Sequence, residues 1–440
     1  MNVRISPRRF TGAIKIPASK SHTIRQLLIA SLADGESEIK YPLDSLDTQS
    51  CLSACKTFGA EIEEQRDGDK IISWKIKGNG GFNYVSSITV VNSFAIDVGN
   101  SGTTLYLALA VAALQSQSIE FTGDEQIQKR SAAPLLDALA GLGVQTHSNN
   151  GCAPIKIKGP WKGGKVSLPC PTSQYLSALL IAAPLAPAGT ITEIEVPMLN
   201  ERPYIEMTLS YLKEHGIPFE ASQDFSRFVI SGGSSWKAFS RAVPADFSSA
   251  AFPAAAAAIS RGQVTLLGLD PADTQGDKFF FEMLEKMGCA VQWQKDGEYG
   301  HSVTVSREGK LCGGTFDLNE TPDLLPAAAV TAAFAEGDTA LVNVAHARLK
   351  ETDRIAVMAQ ELAKLGVSCT EKPDGLVVHG KGFLPVPENM PHNGITIEGH
   401  GDHRIVMAFA AAATGSPVPI EITTAESAAV TYPGFLELLA

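Results

Sequence analysis

One pattern repeats along the chain. An Ala-rich apolar run is closed by a turn and followed by a strand-like segment: "LLIASLADGESEI", "ALAVAALQSQSIEF", "LLIAAPLAPAGTITEI", "AAAAAISRGQVTLL", "VTAAFAEGDTALVNV" and "FAAAATGSPVPIEI". The copies return roughly every 75 to 80 residues, too regularly for chance, so the fold must be built from one supersecondary unit used six times. A second element alternates with the first, a helix that ends in Gly and an apolar residue: "LSACKTFGAEI", "LLDALAGLGVQ", "TLSYLKEHGIPF", "MLEKMGCAVQW" and "AQELAKLGVSC", with "FLELLA" as a truncated sixth copy. Glycine at that point suits a left-handed C-cap before the chain turns into a strand.

Six helix–strand–helix–strand copies suggest two globular halves of three copies each, with the Ala-rich helices inside where small side chains permit close approach. A solenoid is the alternative arrangement. The segment Ile230–Ala255, "ISGGSSWKAFSRAVPADFSSAAFPAA", falls between copies three and four and reads as a hinge. "ISPRRFTGAIKIP" near the N-terminus reads as a strand ahead of copy one that the second half borrows, so the chain crosses between domains twice. The expected division is residues 1–18 plus 241–440 as one domain and 19–240 as the other, with the active-site cleft between them.

Composition limits the partners. A chain of 440 residues, 44% hydrophobic and 19% charged with 39 glycines, is an α/β globular protein rather than a disordered or coiled-coil one. A net charge of −11 argues against nucleic acid, whose backbone needs a broad basic surface. The apolar runs are too short for a membrane span, and "MNVRISPRRFTGAIKIP" lacks a signal core, so the expected compartment is the cytoplasm. Seven cysteines without a C-x-x-C pair argue against disulfides or a zinc ribbon, and Cys51 and Cys55 share one helix face, as core residues would.

Against this acidic background, cations gathered at helix starts are informative. "IPASKSHTIRQLLIA" places Lys20, Ser21 and Arg25 at the start of the first Ala-rich helix. "GNSGTTLYLALAVAAL" opens a helix with Asn100, Ser101 and Gly102, whose orphan N–H groups and dipole attract an anion; it lacks the Gly-Lys-Ser/Thr of a P-loop. "GDEQIQKRSAAPLLDAL" carries Lys129 and Arg130 before a helix, where the dipole would favour acids. "CPTSQYLSALLIAAPLA" offers the neutral donors Thr172, Ser173 and Gln174. "HARLKETDRIAVM" packs Lys350, Glu351, Asp353 and Arg354 into about one helical turn, and "EGHGDHRIVMAFAAAA" puts His403 and Arg404 at the last Ala-rich helix. Each alone also fits a solvated or salt-bridged helix start. His400, Asp402 and His403 imitate a metal cluster, but their spacing fits no common zinc pattern and Arg404 opposes a divalent cation, so no metal is expected. If these heads converge on a cleft, they form one anion-attracting ring.

"PASKSHTIR", "GNSGTT", "GDEQIQKR", "TSQYLSALL", "RPYIEMTL", "PDLLPAAAV", "KETDRI" and "GDHRIVMA" stand in the order and near the spacing of the signature segments of the 5-enolpyruvylshikimate-3-phosphate synthase family, and the chain resembles that family over essentially its whole length. The resemblance implies an inside-out α/β barrel fold of two domains, each made of three βαβαββ repeats. It implies transfer of the enolpyruvyl group of phosphoenolpyruvate to the 5-hydroxyl of shikimate 3-phosphate, with no metal or organic cofactor, in a cytoplasmic monomer of the pathway to chorismate and aromatic amino acids. By the same resemblance Lys20, Ser21, Arg25, Thr172, Ser173, Gln174, Asp323, His346 and Lys350 bind shikimate 3-phosphate. Lys20, Asn100, Gly102, Arg130, Gln174, Arg354 and Arg404 bind phosphoenolpyruvate, and Asp323 and Glu351 carry protons with help from Lys20. The two substrates bring roughly −5 to −6 of charge, which the six cations Lys20, Arg25, Arg130, Lys350, Arg354 and Arg404 nearly offset.

Four positions depart from the family pattern. Tyr106 stands where the family has Arg, Val430 where it has Lys, Glu201 where it has a phosphate-binding Ser, and His346 where it has Asn. An ionised Glu201 beside a phosphate would repel it unless the carboxylate pairs with Arg202 or Arg25, turns away, or faces an acceptor without that phosphate. An enolpyruvyl transferase for another cyclic alcohol, or a low-turnover binding homologue, is the alternative reading.

Overall fold

A computed structural model of the chain describes residues 1–81, 94–385 and 394–439. The protein is a mixed α/β structure of two compact units: Lys20–Val243 is one, and Pro244–Ala440 together with Met1–Ser19 is the other. They are called here the 20–243 and 244–440 units. Each holds three sheets among the described residues.

The second repeat displays the shared design. Strand Phe94–Asp97 leads into helix Gly102–Ala112, strand Ile119–Thr122, helix Ala133–Gly141 and the hairpin Gln145–Asn149/Cys152–Lys158. The first two strands are parallel, which requires a crossover, and the helix supplies it. The hairpin closes antiparallel on the second strand, giving a first-second-fourth-third order. Strands Gly164–Ser167, Ile191–Glu195, Phe219–Ala221 and Arg227–Ser231 repeat that order.

Borrowed strands complete three of the four remaining sheets. Ser240–Ala242, late in the 20–243 unit, pairs parallel with Glu36–Lys40 and supplies the strand missing before the first helix. The N-terminal segment serves the 244–440 unit twice: Thr11–Lys15 lies parallel to Gln263–Leu267, and Val3–Ile5 lies antiparallel to Ile420–Ile422. The outer helices end at Gly59, Gly143, Gly216, Gly288 and Gly366, all with φ between 71° and 103°, the left-handed turn that lets each helix reverse into its strand.

Composition places the Ala-rich helices in the core. All thirteen residues of Phe247–Ile259 are buried, as are all eleven of Gly102–Ala112. Alanine loses no side-chain entropy on burial and lets helices approach closely; Phe247–Ile259, Leu325–Ala333 and His403–Gly415 pack against one another pairwise. Leu, Ile and Phe at the sheet faces add about 1.5–3 kcal/mol each. Cys51 and Cys55 are fully buried, with thiols directed at the Ile24 and Leu27 carbonyls, and all seven cysteines are free. Among the described residues no helix is long and apolar enough to cross a membrane.

Candidate active site

In the 20–243 unit the cations rest on helix heads. Lys20 is the first residue of helix Lys20–Leu32, and its Nζ lies 3.0 Å from Asp47 Oδ2. Arg25, one turn on, is 1% exposed. It donates to Thr208 Oγ1 at 2.9 Å, Ser177 Oγ at 3.1 Å, and the carbonyls of Ser21 and Tyr204 at 3.1 and 3.4 Å. These acceptors are neutral, so burial pulls the guanidinium down to about 10 while Tyr211, Tyr204 and Glu201 act in the opposite direction.

Thr172 caps helix Ser173–Ala182 by accepting from the Gln174 N–H at 3.4 Å, and Gln174 is half-buried there. The same head holds a carboxylate. Glu201 Oε2 accepts from Ser173 N at 2.9 Å, Ser173 Oγ at 2.8 Å and Thr172 Oγ1 at 3.1 Å. Glu201 is 2% exposed and sits at φ 59°, a left-handed conformation uncommon for a residue with a side chain. Its neighbour Arg202 turns instead to Glu206 and stacks on Phe225.

At the third head Ser101 is the cap, accepting from Thr104 N at 3.3 Å. A Cβ on Gly102 would lie 2.6 Å from Arg130 Nη1, so glycine is what lets the guanidinium reach this helix start. Tyr106 and Tyr175 both donate to the Ser131 carbonyl, at 3.3 and 2.5 Å, with ring centroids 5.0 Å apart and edge-on. They brace the residue next to Arg130. Asn100 donates to Asp124 at 2.6 Å and Gln126 at 2.8 Å, tying the same loop, whereas Lys129 is exposed.

In the 244–440 unit the charges form a closed network. Arg354 is 1% exposed. Its Nε lies 2.8 Å from Asp402 Oδ2, its Nη1 2.8 Å from Asp323 Oδ1, and its Nη2 2.5 Å from Glu351 Oε2. Arg404 donates to the other Asp323 oxygen at 2.9 Å, and Lys350 Nζ is 3.7 Å from Asp323 Oδ1. Burial alone would raise Asp323, but Arg404, Lys350 and Arg354 outweigh it and hold the carboxyl well below its ordinary range. Asp402 is likewise held low, because Arg354 overcomes burial, and Arg354 is pushed up by Asp402, Glu351 and Asp323.

The "KETDR" segment is not one helical turn: Lys350–Asp353 precede helix Arg354–Lys364, whose cap is Asp353. Asp353 also binds Arg348 at 2.7 Å, which takes it out of the Asp323 network. His346 is 4% exposed in the turn Ala345–Leu349.

Sequence reasoning passed over two carboxylates. Asp402, which in the sequence imitates a metal ligand, caps helix His403–Gly415 and anchors Arg354; an Asp before an Ala-rich helix is the sequence signal for that role. Asp277 is fully buried and bonds Ser248. Burial, and then Asp323, push it up to about 7 against the pull of Arg404. Nothing in "QGDKFFFEML" marks it.

Fold and site together define a six-repeat α/β protein whose helix heads are fitted with buried cations and hydroxyls for anionic ligands. The model of the family described as EPSP synthase (3-phosphoshikimate 1-carboxyvinyltransferase) matches residues 5–439. Relatives named 3-phosphoshikimate 1-carboxyvinyltransferase include one from Acetivibrio thermocellus, 43% identical over all of this chain and 97% of its own, and one from Ruminiclostridium cellulolyticum, 42% identical over 99% and 97%. A solved EPSP synthase from Acinetobacter baumannii superposes with a TM-score of 0.79 at 28% identity, covering 99% of this chain and 97% of that one. The chain belongs to the EPSP synthase family, with the two-unit α/β fold of that family.

Proposed function

We propose that the chain transfers the carboxyvinyl group of phosphoenolpyruvate to the 5-hydroxyl of shikimate 3-phosphate, releasing phosphate; the relatives' names give the carboxyvinyl transfer and the 3-phosphoshikimate acceptor. The observation that carries the reading is the Asp323 network: carboxylates able to move protons lie within hydrogen-bond reach of buried cations able to hold an anion.

The roles assigned here are those that the family resemblance implies. Lys20, Ser21, Arg25, Thr172, Ser173 and Gln174 serve the acceptor, with His346, Lys350 and Asp323. Asn100, Gly102, Arg130, Arg354 and Arg404 serve phosphoenolpyruvate, with Lys20 and Gln174. The acceptor oxygen attacks C2 of phosphoenolpyruvate while its proton passes to Asp323 or Glu351, and a proton is added to the methylene carbon. The tetrahedral adduct then loses phosphate and one methyl proton to regenerate the double bond. Asp323 is a poor base while Arg354, Arg404 and Lys350 hold it ionised. A substrate carboxylate that takes over Arg354 and Arg404 weakens that hold, so binding itself raises the basicity of Asp323. The free cysteines fit the reducing cytoplasm.

The test is phosphate release from phosphoenolpyruvate with shikimate 3-phosphate, unphosphorylated shikimate and other cyclic alcohols, with and without chelator. Release with shikimate 3-phosphate, insensitive to chelator, is expected. Release with another alcohol and none with shikimate 3-phosphate overturns the acceptor assignment.

A further inference from the structure

The head of helix Ser173–Ala182 already holds an anion, and the anion belongs to the chain. Three donors converge on one oxygen of Glu201: the Ser173 N–H, the Ser173 hydroxyl and the Thr172 hydroxyl. These groups, with the helix dipole behind them, are the equipment with which a helix start binds phosphate. Arg25 is a second, independent sign of an anion at this place. It is a cation 1% exposed whose hydrogen-bond acceptors are neutral oxygens, and Glu201 is the carboxylate that acts on it electrostatically. The carboxylate reaches the head from 28 residues away, from a residue in a left-handed conformation.

We propose that Glu201 is a specificity-determining residue: its carboxylate is an internal competitor for the donors that hold the acceptor's phosphate, and acceptor binding must displace it. This inference rests on the reading of function given above and deepens it. A like-charged pair about 4 Å apart at an effective dielectric near 20 is unfavourable by roughly 4 kcal/mol, so a phosphate and an ionised Glu201 do not share this head. Of the three arrangements the sequence left open, the structure shows neither a pairing with Arg202 nor a side chain turned away. Glu201 lies in the electrostatic reach of Arg25, but its hydrogen bonds go to the helix start.

Steady-state kinetics on wild type, Glu201→Ser and Glu201→Gln tests the proposal, with KM measured for shikimate 3-phosphate and for phosphoenolpyruvate. Serine removes the competitor and glutamine removes its charge while keeping its bulk, so the second variant still reports if the first fails to fold. The expected result is a KM for shikimate 3-phosphate lowered about tenfold or more in the serine variant and in the same direction in the glutamine variant, with a much smaller change for phosphoenolpyruvate. A purely structural cap would move both constants together. An acceptor KM unchanged or raised in the folded variants, while wild type turns over, overturns the proposal. Wild type without turnover on shikimate 3-phosphate overturns the reading of function instead.

Discussion

Arg25 and Arg354 are equally buried, at 1% exposure, and the two units treat them in opposite ways. Arg25 in the 20–243 unit is held by hydroxyls and carbonyls, and burial pulls its pKa down to about 10. Arg354 in the 244–440 unit is surrounded by Asp402, Glu351 and Asp323, which push it up despite burial. The helix caps follow the same division. Ser101 and Thr172 cap two central helices of the first unit, whereas Asp246 and Asp402 cap two of the three in the second. A hydroxyl cap satisfies an N–H but leaves the positive end of the dipole uncompensated, as at the Ser101 head; an aspartate cap cancels it. The Thr172 head lies between the two, because the Glu201 carboxylate reaches its donors from the start of the next helix. One repeat thus yields heads that keep positive potential for a ligand and heads that balance it internally.

If this division is right, removing a charge partner costs far more in the 244–440 unit. Asp402→Ala takes two hydrogen bonds from Arg354 and the cap from helix His403–Gly415. A buried guanidinium left without any carboxylate costs about 3–5 kcal/mol; Arg354 keeps Asp323 and Glu351, so the loss lies toward the lower end of that range, and the cap adds about 1. Thr208→Val beside Arg25 removes a neutral acceptor and should cost about 1.5–3 kcal/mol. Chemical denaturation of both variants checks this, and equal losses would break the comparison.

Asp277 sharpens it through pH. Because burial raises this carboxyl from 3.8 to about 7, the folded protein keeps a proton that the unfolded chain releases above about pH 4. Stability from this group is therefore full below pH 4 and lost as pH rises toward 7. Asp277→Asn should remove that slope and stabilise the protein by roughly 4 kcal/mol at pH 8, with no gain below pH 4. Asp323 and Asp402 behave oppositely: held low, they contribute above pH 4, and that contribution is lost as pH falls further. Denaturant midpoints from about pH 2 to about pH 8 separate the two, the Asp277 slope lying above pH 4 and the other below it; an Asn variant that keeps the wild-type slope removes Asp277 from the account.

The repeat was legible because it is written in local terms, as Ala-rich runs and glycines at helix ends, and the structure uses both as the sequence implied. The helix heads were legible for the same reason, since Lys20, Ser101 and Thr172 stand where caps and first turns stand. Pairings across long separations were not. Glu201 reads as a repulsive anomaly until Ser173 is placed against it, and Asp277 reads as an ordinary acid until burial beside Ser248 is seen. Arg25 looked like a cation awaiting an anion, while its hydroxyl partners lie on two later helices.

Within the 20–243 unit, geometry at the Gly102 head should matter more to phosphoenolpyruvate than to stability. A Cβ there would meet the far end of the Arg130 side chain at 2.6 Å, and that end can swing away without disturbing the backbone. Gly102→Ala should therefore fold normally and raise the KM for phosphoenolpyruvate about tenfold, near 1.4 kcal/mol, with a smaller change for the acceptor. An unchanged KM would mean that Arg130 does not hold this substrate.

The smallest effect belongs to Tyr106, which the family pattern replaces with a cation. Tyr106 is 6% exposed, packed edge-on against Tyr175, and donates to the Ser131 carbonyl. Burial pushes the Tyr175 hydroxyl well above its ordinary pKa, so it stays a donor to that same carbonyl at every working pH. Tyr106→Phe removes one of two hydrogen bonds and keeps the ring contact, a loss of about 0.5–1.5 kcal/mol. Because Ser131 adjoins Arg130, part of that loss should appear as a two- to fivefold rise in the KM for phosphoenolpyruvate. Tyr106→Arg should do worse rather than restore a family feature, since a guanidinium at this buried place meets one carbonyl already accepting from Tyr175. A Tyr106→Arg protein with normal stability and a lower KM would show that the 20–243 unit tolerates another buried cation here, and would extend its contrast with the ion-paired 244–440 unit to a third head.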